Sequence, residues 1–230
     1  MILFRHHDLP GAAAALADEV IAALRHGLAA RGVASLAVAG GRTPEPLFRA
    51  LRDAPLDWAR VAVTLTDERW VPEEDAASNA RLLRAELLQG RARAARFFPL
   101  YEGSATAGEA VNAVWQSLQE MSWPLDAVVL GMGEDGHFAS LFPDNPQLGR
   151  ALDPDGRPGC VAMLAPAAPA SRISLNLAAL RQTRRLFLLA GGRPKHEVLA
   201  QASREGSAGH LPVTALLALQ HPEAEVYWGP

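Results

Sequence analysis

Val33-Ala34-Ser35-Leu36-Ala37-Val38-Ala39-Gly40-Gly41-Arg42-Thr43-Pro44 is the stretch that decides the fold. Residues 33–39 are a short apolar run, and both its length and its Gly40-Gly41 exit favour a buried strand over a helix. Residues 44–52 follow as a helix with proline in its first turn, where a missing N–H does no harm. Residues 60–66 are again short and apolar, so the order is strand, helix, strand.

The same alternation continues outward from this unit. Before it, residues 9–31 are rich in Ala and Leu at helical spacing, and Asp8 with Pro10 supplies a start signal. After it, residues 67–76 read as a charged loop, Ser78 caps a helix to about residue 88, and 97–100 is a short strand candidate. An amphipathic helix over 104–121 leads to a strand at 126–130, a glycine-rich loop at 131–137 and a short helix or turn at 139–142. Residues 144–159 read as loop. Strands are expected at 161–164, 173–175, 185–190 and 225–228, with helices at about 194–201 and after Pro212. Short apolar strands alternating with helices imply an α/β chain built on a mostly parallel sheet with helices on both faces.

The bulk numbers agree with one domain spanning residues 1–230, since a chain of this length with 49% hydrophobic and 20% charged side chains can bury one sizeable core. A net charge of -3 supplies no basic stripe, which speaks against nucleic acid or an acidic membrane surface as partner. No apolar run reaches the roughly 18 residues of a membrane helix, and the lone Cys160 lies in an apolar run, so a reducing, cytoplasmic setting is expected.

In a parallel sheet the chemistry gathers where strands end. Four strand exits are chemically loaded here. Gly40-Gly41-Arg42-Thr43 lets the backbone approach a ligand and offers free N–H groups to an anion such as phosphate; a tight turn capped by Thr43 is the plainer alternative. Asp67-Glu68-Arg69 with Ser78-Asn79 supplies carboxylates and a guanidinium able to hold sugar hydroxyls, or is simply a solvated turn. Gly131-Met132-Gly133-Glu134-Asp135-Gly136-His137 places Asp135 two residues before His137. An imidazole, with a usual pKa of about 6.5, suits proton abstraction from water at neutral pH, and a carboxylate can fix its tautomer. The glycines lack the G-x-G-x-x-G spacing of a dinucleotide site.

The fourth exit, Gly191-Gly192-Arg193-Pro194-Lys195, puts the chain's one lysine in the first turn of a helix. A cation there opposes the helix dipole, so an anion is expected to offset it unless the ammonium is simply solvated. Arg172, at the start of an extended segment, offers a guanidinium fork to phosphate or pairs with a surface acid. The seven histidines show no metal-ligand spacing, and neither metal nor cofactor is implied.

Taken together, Gly40-Gly41-Arg42-Thr43-Pro44, Asp67-Glu68-Arg69-Trp70-Val71-Pro72 with Ser78-Asn79, and the run from Gly131 to Pro143 resemble the 6-phosphogluconolactonase family. The resemblance implies a Rossmann-like sheet with sugar phosphate bound at its strand ends, in a fold group shared with glucosamine-6-phosphate deaminases. Phe138-Ala139-Ser140-Leu141-Phe142-Pro143 follows the lactonase pattern rather than the Ala-Phe-Asn-Glu-Pro continuation of the deaminases, and Arg69 stands where deaminases tend to have tyrosine. Arg42 replaces a frequent serine or threonine, and Phe138 a frequent threonine, which removes two hydroxyl contacts.

The implied activity is metal-free hydrolysis of a phosphorylated sugar lactone, with this small molecule as the partner. His137 is expected as the base with Asp135 orienting it. Gly40, Gly41, Asp67, Arg69 and Asn79 are expected around the carbonyl and hydroxyls, and Arg42, Thr43, Arg172 and Lys195 around the phosphate. A monomer or small homo-oligomer is expected. The rival readings are amino-sugar phosphate deamination and a non-catalytic sugar-phosphate sensor; the latter wants a basic recognition helix, which this sequence lacks.

Overall fold

A computed structural model describes residues 1–204 and 211–230. Ten strands and eight α-helices form two sheets, with the strands in the order β1 (Ile2–Arg5), β2 (Ala34–Val38), β3 (Val61–Leu65), β4 (Asp67–Arg69), β5 (Arg96–Phe98), β6 (Ala127–Leu130), β7 (Cys160–Leu164), β8 (Ser171–Leu175), β9 (Leu186–Gly191) and β10 (Ala224–Gly229) among the described residues. The main sheet runs β1-β10-β9-β6-β2-β3-β5, every neighbouring pair parallel. The strand-helix-strand reading of residues 33–66 therefore holds, with helix α2 (Glu45–Arg52) between β2 and β3.

Helix α1 (Leu9–Arg31) begins where the Asp8 carboxylate accepts the Gly11 N–H at 2.7 Å and ends at Gly32, whose φ of 75° is the left-handed turn that closes a helix. Its buried positions, Ala12, Leu16, Val20, Leu24 and Gly27, recur at helical spacing and face β2, β9 and β10. Helices α3 (Asn79–Glu86), α4 (Ala107–Leu118), α5 (Leu148–Ala151), α6 (Leu177–Leu180), α7 (Arg193–Ala202) and α8 (Val213–Leu217) complete the set. α4 opens with a full capping box, Thr106 and Glu109 each accepting the other's N–H.

Several expectations change: residues 144–159, read as loop, contain the short helix α5. Residues 67–69 are not loop but strand β4, and 161–164 with 173–175 are not in the main sheet; β4, β8 and β7 make a small antiparallel sheet. The cause is local. Thr66 leaves β3 by donating its N–H to Val38 O and accepts Leu175 N–H, both at 2.9 Å, so one residue carries the backbone ladder from one sheet to the next. Strand β1 was also unread, because its short run is recognisable only once β10 offers it a parallel edge.

The core contains one close approach that a side chain would spoil. Gly27 lies against Asp126, whose carboxylate is 1% exposed, accepts Ser35 N–H at 2.9 Å and pairs with Arg31. A Cβ at Gly27 would stand 2.7 Å from that carboxylate. Gly→Ala in a helix interior ordinarily stabilises by about 0.5–1 kcal/mol. Here the sign reverses: Gly27→Ala is expected to lower unfolding stability by about 1–3 kcal/mol in urea titration, as overpacked sites do.

Candidate active site

Because the main sheet is parallel, the carboxyl ends of β2, β6 and β9 open on one edge, where the chain leaving β3 turns into β4. They bound a cleft of about 510 Å³. The turn after β2 supplies Gly40, Gly41, Arg42 and Thr43; β4 and the start of α3 supply Asp67, Arg69 and Asn79; the loop after β6 supplies His137, and the first turn of α7 supplies Lys195. Asp135 and Arg172 are the two expected residues that do not line it.

Asp135 stands behind His137. Its Oδ1 lies 2.6 Å from His137 Nδ1 and accepts the His137 N–H at 3.1 Å. Burial pulls the Asp135 carboxyl upward, but the hydrogen bond to His137, its charge and nearby amides outweigh this and hold it below the ordinary carboxylate range. A carboxylate at Nδ1 selects the tautomer with hydrogen there, which leaves Nε2 with a free lone pair. The loop is shaped for this pair: Gly133 donates to His137 O at 2.9 Å, and a side chain at Gly133 would collide with the imidazole and Asp135. The ring of Phe142 packs against the imidazole at a centroid distance of 4.5 Å.

The loop continues through a tight turn, with Leu141 N–H donating to Phe138 O at 3.0 Å. This is the turn that the sequence left open as helix or turn. Ala139 within it has φ 48°, a left-handed conformation that costs a non-glycine residue about 1–2 kcal/mol. Ser140 is buried and donates to Asp67 Oδ2 at 2.6 Å. Phe138, where a hydroxyl is frequent in the family it resembles, is wholly buried in the core.

Glu68, read from sequence as part of a charged turn, is structural. It is fully buried and its two oxygens accept the N–H groups of Arg69, Asn79 and Ala80 at 2.7 Å each and the Ser78 hydroxyl at 3.2 Å. It therefore caps α3 from outside the helix. Burial pushes its carboxyl up from the usual range against the lowering pull of those amides. No local rule links a carboxylate to a helix that starts some ten residues on, so this role was invisible in one dimension. Asn79, fixed by Glu68, donates to Asp67 O at 2.9 Å and accepts from the Arg69 guanidinium. Gly40 passes so close to Asn79 that a Cβ there would overlap its carboxamide.

Lys195 Nζ donates to Thr43 Oγ1 at 3.4 Å, and the exposed Arg42 lines the same cleft. Burial lowers the Lys195 pKa, with the Glu134 charge pulling the other way. Arg172 sits across from Arg69 in the β4–β8 ladder, 8% exposed, and its Nε has no hydrogen-bond partner. Burial first and the like charge of Arg69 second lower its pKa, with Asp67 and Glu68 opposing. Among the described residues no group of three or more His, Cys, Asp or Glu side chains is arranged to hold a metal ion.

Replacing Glu68 by glutamine would turn an NH₂ toward at least one donor among Ser78, Asn79, Ala80 and Arg69. Glu68→Gln is therefore expected to lose about 2–4 kcal/mol of unfolding stability in urea titration. A loss under about 0.5 kcal/mol would show that the four-donor arrangement is not needed.

The family described as glucosamine-6-phosphate isomerases/6-phosphogluconolactonase matches residues 8–228. The chain is 44% identical over 218 residues to a 6-phosphogluconolactonase of Rhizobium meliloti (strain 1021), covering 95% of this chain and 94% of that one. It is 43% identical over 215 residues to a 6-phosphogluconolactonase of Pseudomonas aeruginosa, covering 94% and 89%. The crystal structure of a 6-phosphogluconolactonase from Shewanella baltica OS155 superposes with a TM-score of 0.94 at 36% identity, covering 100% of this chain and 98% of that one.

Proposed function

The chain belongs to the glucosamine-6-phosphate isomerase/6-phosphogluconolactonase family, and on that footing we propose that it hydrolyses 6-phospho-D-glucono-1,5-lactone to 6-phospho-D-gluconate, a step of the oxidative pentose phosphate pathway. The observation that carries the reading is the His137–Asp135 pair, 2.6 Å apart, opening onto a cleft walled by Lys195, Arg42 and Arg69. The partner in this reading is a small phosphorylated lactone in the cytoplasm, not a nucleic acid. No described helix is long and apolar enough to cross a membrane.

A six-membered lactone is an activated ester, so an oriented water, a base and stabilisation of the oxyanion suffice. His137 Nε2 takes a proton from water as its oxygen bonds to the lactone carbonyl carbon. Asp135, held ionised, steadies the resulting imidazolium. Collapse of the tetrahedral intermediate breaks the bond from that carbon to the ring oxygen, and Nε2–H returns its proton there. Backbone N–H groups of the Gly40-Gly41 turn and the Arg69 guanidinium serve the oxyanion and hydroxyls. Asn79 is committed to Arg69 and Asp67, so its part is to orient them. Lys195, Thr43 and Arg42 take the phosphate, and Arg172 adds positive potential behind Arg69.

His137→Ala is expected to lower kcat about 10²–10⁴-fold with KM changed far less, the usual share of a general base; the assay is turnover of freshly generated lactone above its spontaneous rate, beside glucosamine 6-phosphate. Retention of the wild-type rate would remove His137 from the chemistry, and turnover of the amino sugar alone would move the chain to the deaminases.

Lys195 sets a pH limit. Its pKa lies below the ordinary lysine value because burial disfavours the ammonium, so that charge is lost earlier than usual as pH rises. Calorimetric titration with 6-phosphogluconate from about pH 7 to about pH 10 is expected to show affinity falling before the ordinary lysine range near 10.4. Lys195→Arg, charged throughout, should flatten that fall; an unchanged alkaline limb would exclude Lys195 from the phosphate.

A further inference from the structure

The turn over residues 138–141 holds more than proton transfer at His137 requires. Ala139 occupies a left-handed position that favours glycine, and it lines the cleft. Ser140, 1% exposed, is fastened on two sides: its hydroxyl donates to Asp67 Oδ2 at 2.6 Å, and its N–H donates to Ser174 Oγ at 3.2 Å. Asp67 and Ser174 are partners in the β4–β8 ladder, so one residue of the turn is tied to both members of a cross-strand pair. His137 lies just upstream, and Phe142, whose ring flanks the imidazole, just downstream. The turn is thus the link between the small sheet and the imidazole.

We propose that Ser140 is a positioning residue: its hydrogen bond to Asp67 holds the turn in the conformation that Ala139 resists, and so keeps the imidazole of His137 aimed into the cleft. This rests on His137 acting as the base. Without the bond the turn relaxes toward the backbone angles that alanine prefers, and His137 and Phe142 shift with it. Misplacement by about 1 Å is enough to cost a reaction about 10²-fold. Ser140 itself is buried and does not line the cleft, so it does not touch the substrate, and its anchor is the cleft-lining Asp67.

The test pairs Ser140→Ala with Ala139→Gly, alone and combined, reading kcat, KM and the unfolding midpoint. Ser140→Ala is expected to lower kcat about 10–100-fold with KM changed less than about threefold. Glycine takes a positive φ without strain, so adding Ala139→Gly should recover at least about tenfold of the lost rate. A serine that is only structural would lower the midpoint and leave kcat of the folded enzyme alone, and that result, or a kcat loss without recovery, overturns the proposal. Ala139→Gly in the otherwise unaltered chain, which does not depend on how Ser140→Ala folds, should leave the midpoint unchanged or higher; a lower midpoint also overturns it. Absence of lactone turnover in the unaltered chain would instead overturn the reaction. The midpoints then decide the turn, since the double variant must lose less than Ser140→Ala alone.

Discussion

A parallel ladder points every strand the same way, so all its carboxyl ends fall on one edge whatever the order of the strands. That geometry is the constraint on which the cleft depends. Residues far apart in the chain, Gly40, His137 and Lys195 among them, meet because each follows a strand of the same sheet. The second sheet closes the edge from the side. Thr66, hydrogen-bonded to Val38 in one sheet and to Leu175 in the other, lets the chain turn out of β3 directly into Asp67, Glu68 and Arg69. A longer connection would have carried those side chains away from the imidazole.

Charge at this edge is arranged at some expense. Two guanidiniums face each other across the β4–β8 ladder, and the buried one, Arg172, leaves its Nε unmatched. An unsatisfied buried donor costs on the order of 1–3 kcal/mol. The charges of Asp67 and Glu68 offset part of what the guanidinium loses on burial, but no described contact takes up its Nε–H. The carboxylates nearby are treated differently: Asp135 is kept ionised by its imidazole, while Glu68 is spent entirely on the start of α3.

The main alternation of strand and helix was legible because each short apolar run ends in glycine or a polar turn, as residues 33–44 show, and α1 was read to its last residue. The line-up of motifs at the strand exits was legible for the same reason. What failed was the recognition of strands lacking apolar patterning. Asp67-Glu68-Arg69 has no hydrophobic face, and its extended form is imposed by pairing with β8. Arg172, read at the start of an extended segment, does lie there, in β8 across from Arg69. Ser140 and Glu68 carried no signal, since their partners are 73 and about ten residues away in sequence.

Arginine serves nearly every cationic position of this chain, which leaves Lys195 as its one side-chain amine, half-enclosed in the cleft with a proton that departs more easily than usual. The other primary amine, at Met1, is engaged by Glu223 at 2.7 Å. Amine-directed acylating or aldehyde reagents therefore meet a single side-chain nucleophile, and it is the one at the mouth of the site. Covalent labelling that is nonspecific in most proteins becomes a site-selective footprint here when it is read at Lys195: the extent of acylation there reports whether the cleft is occupied, with no engineered probe.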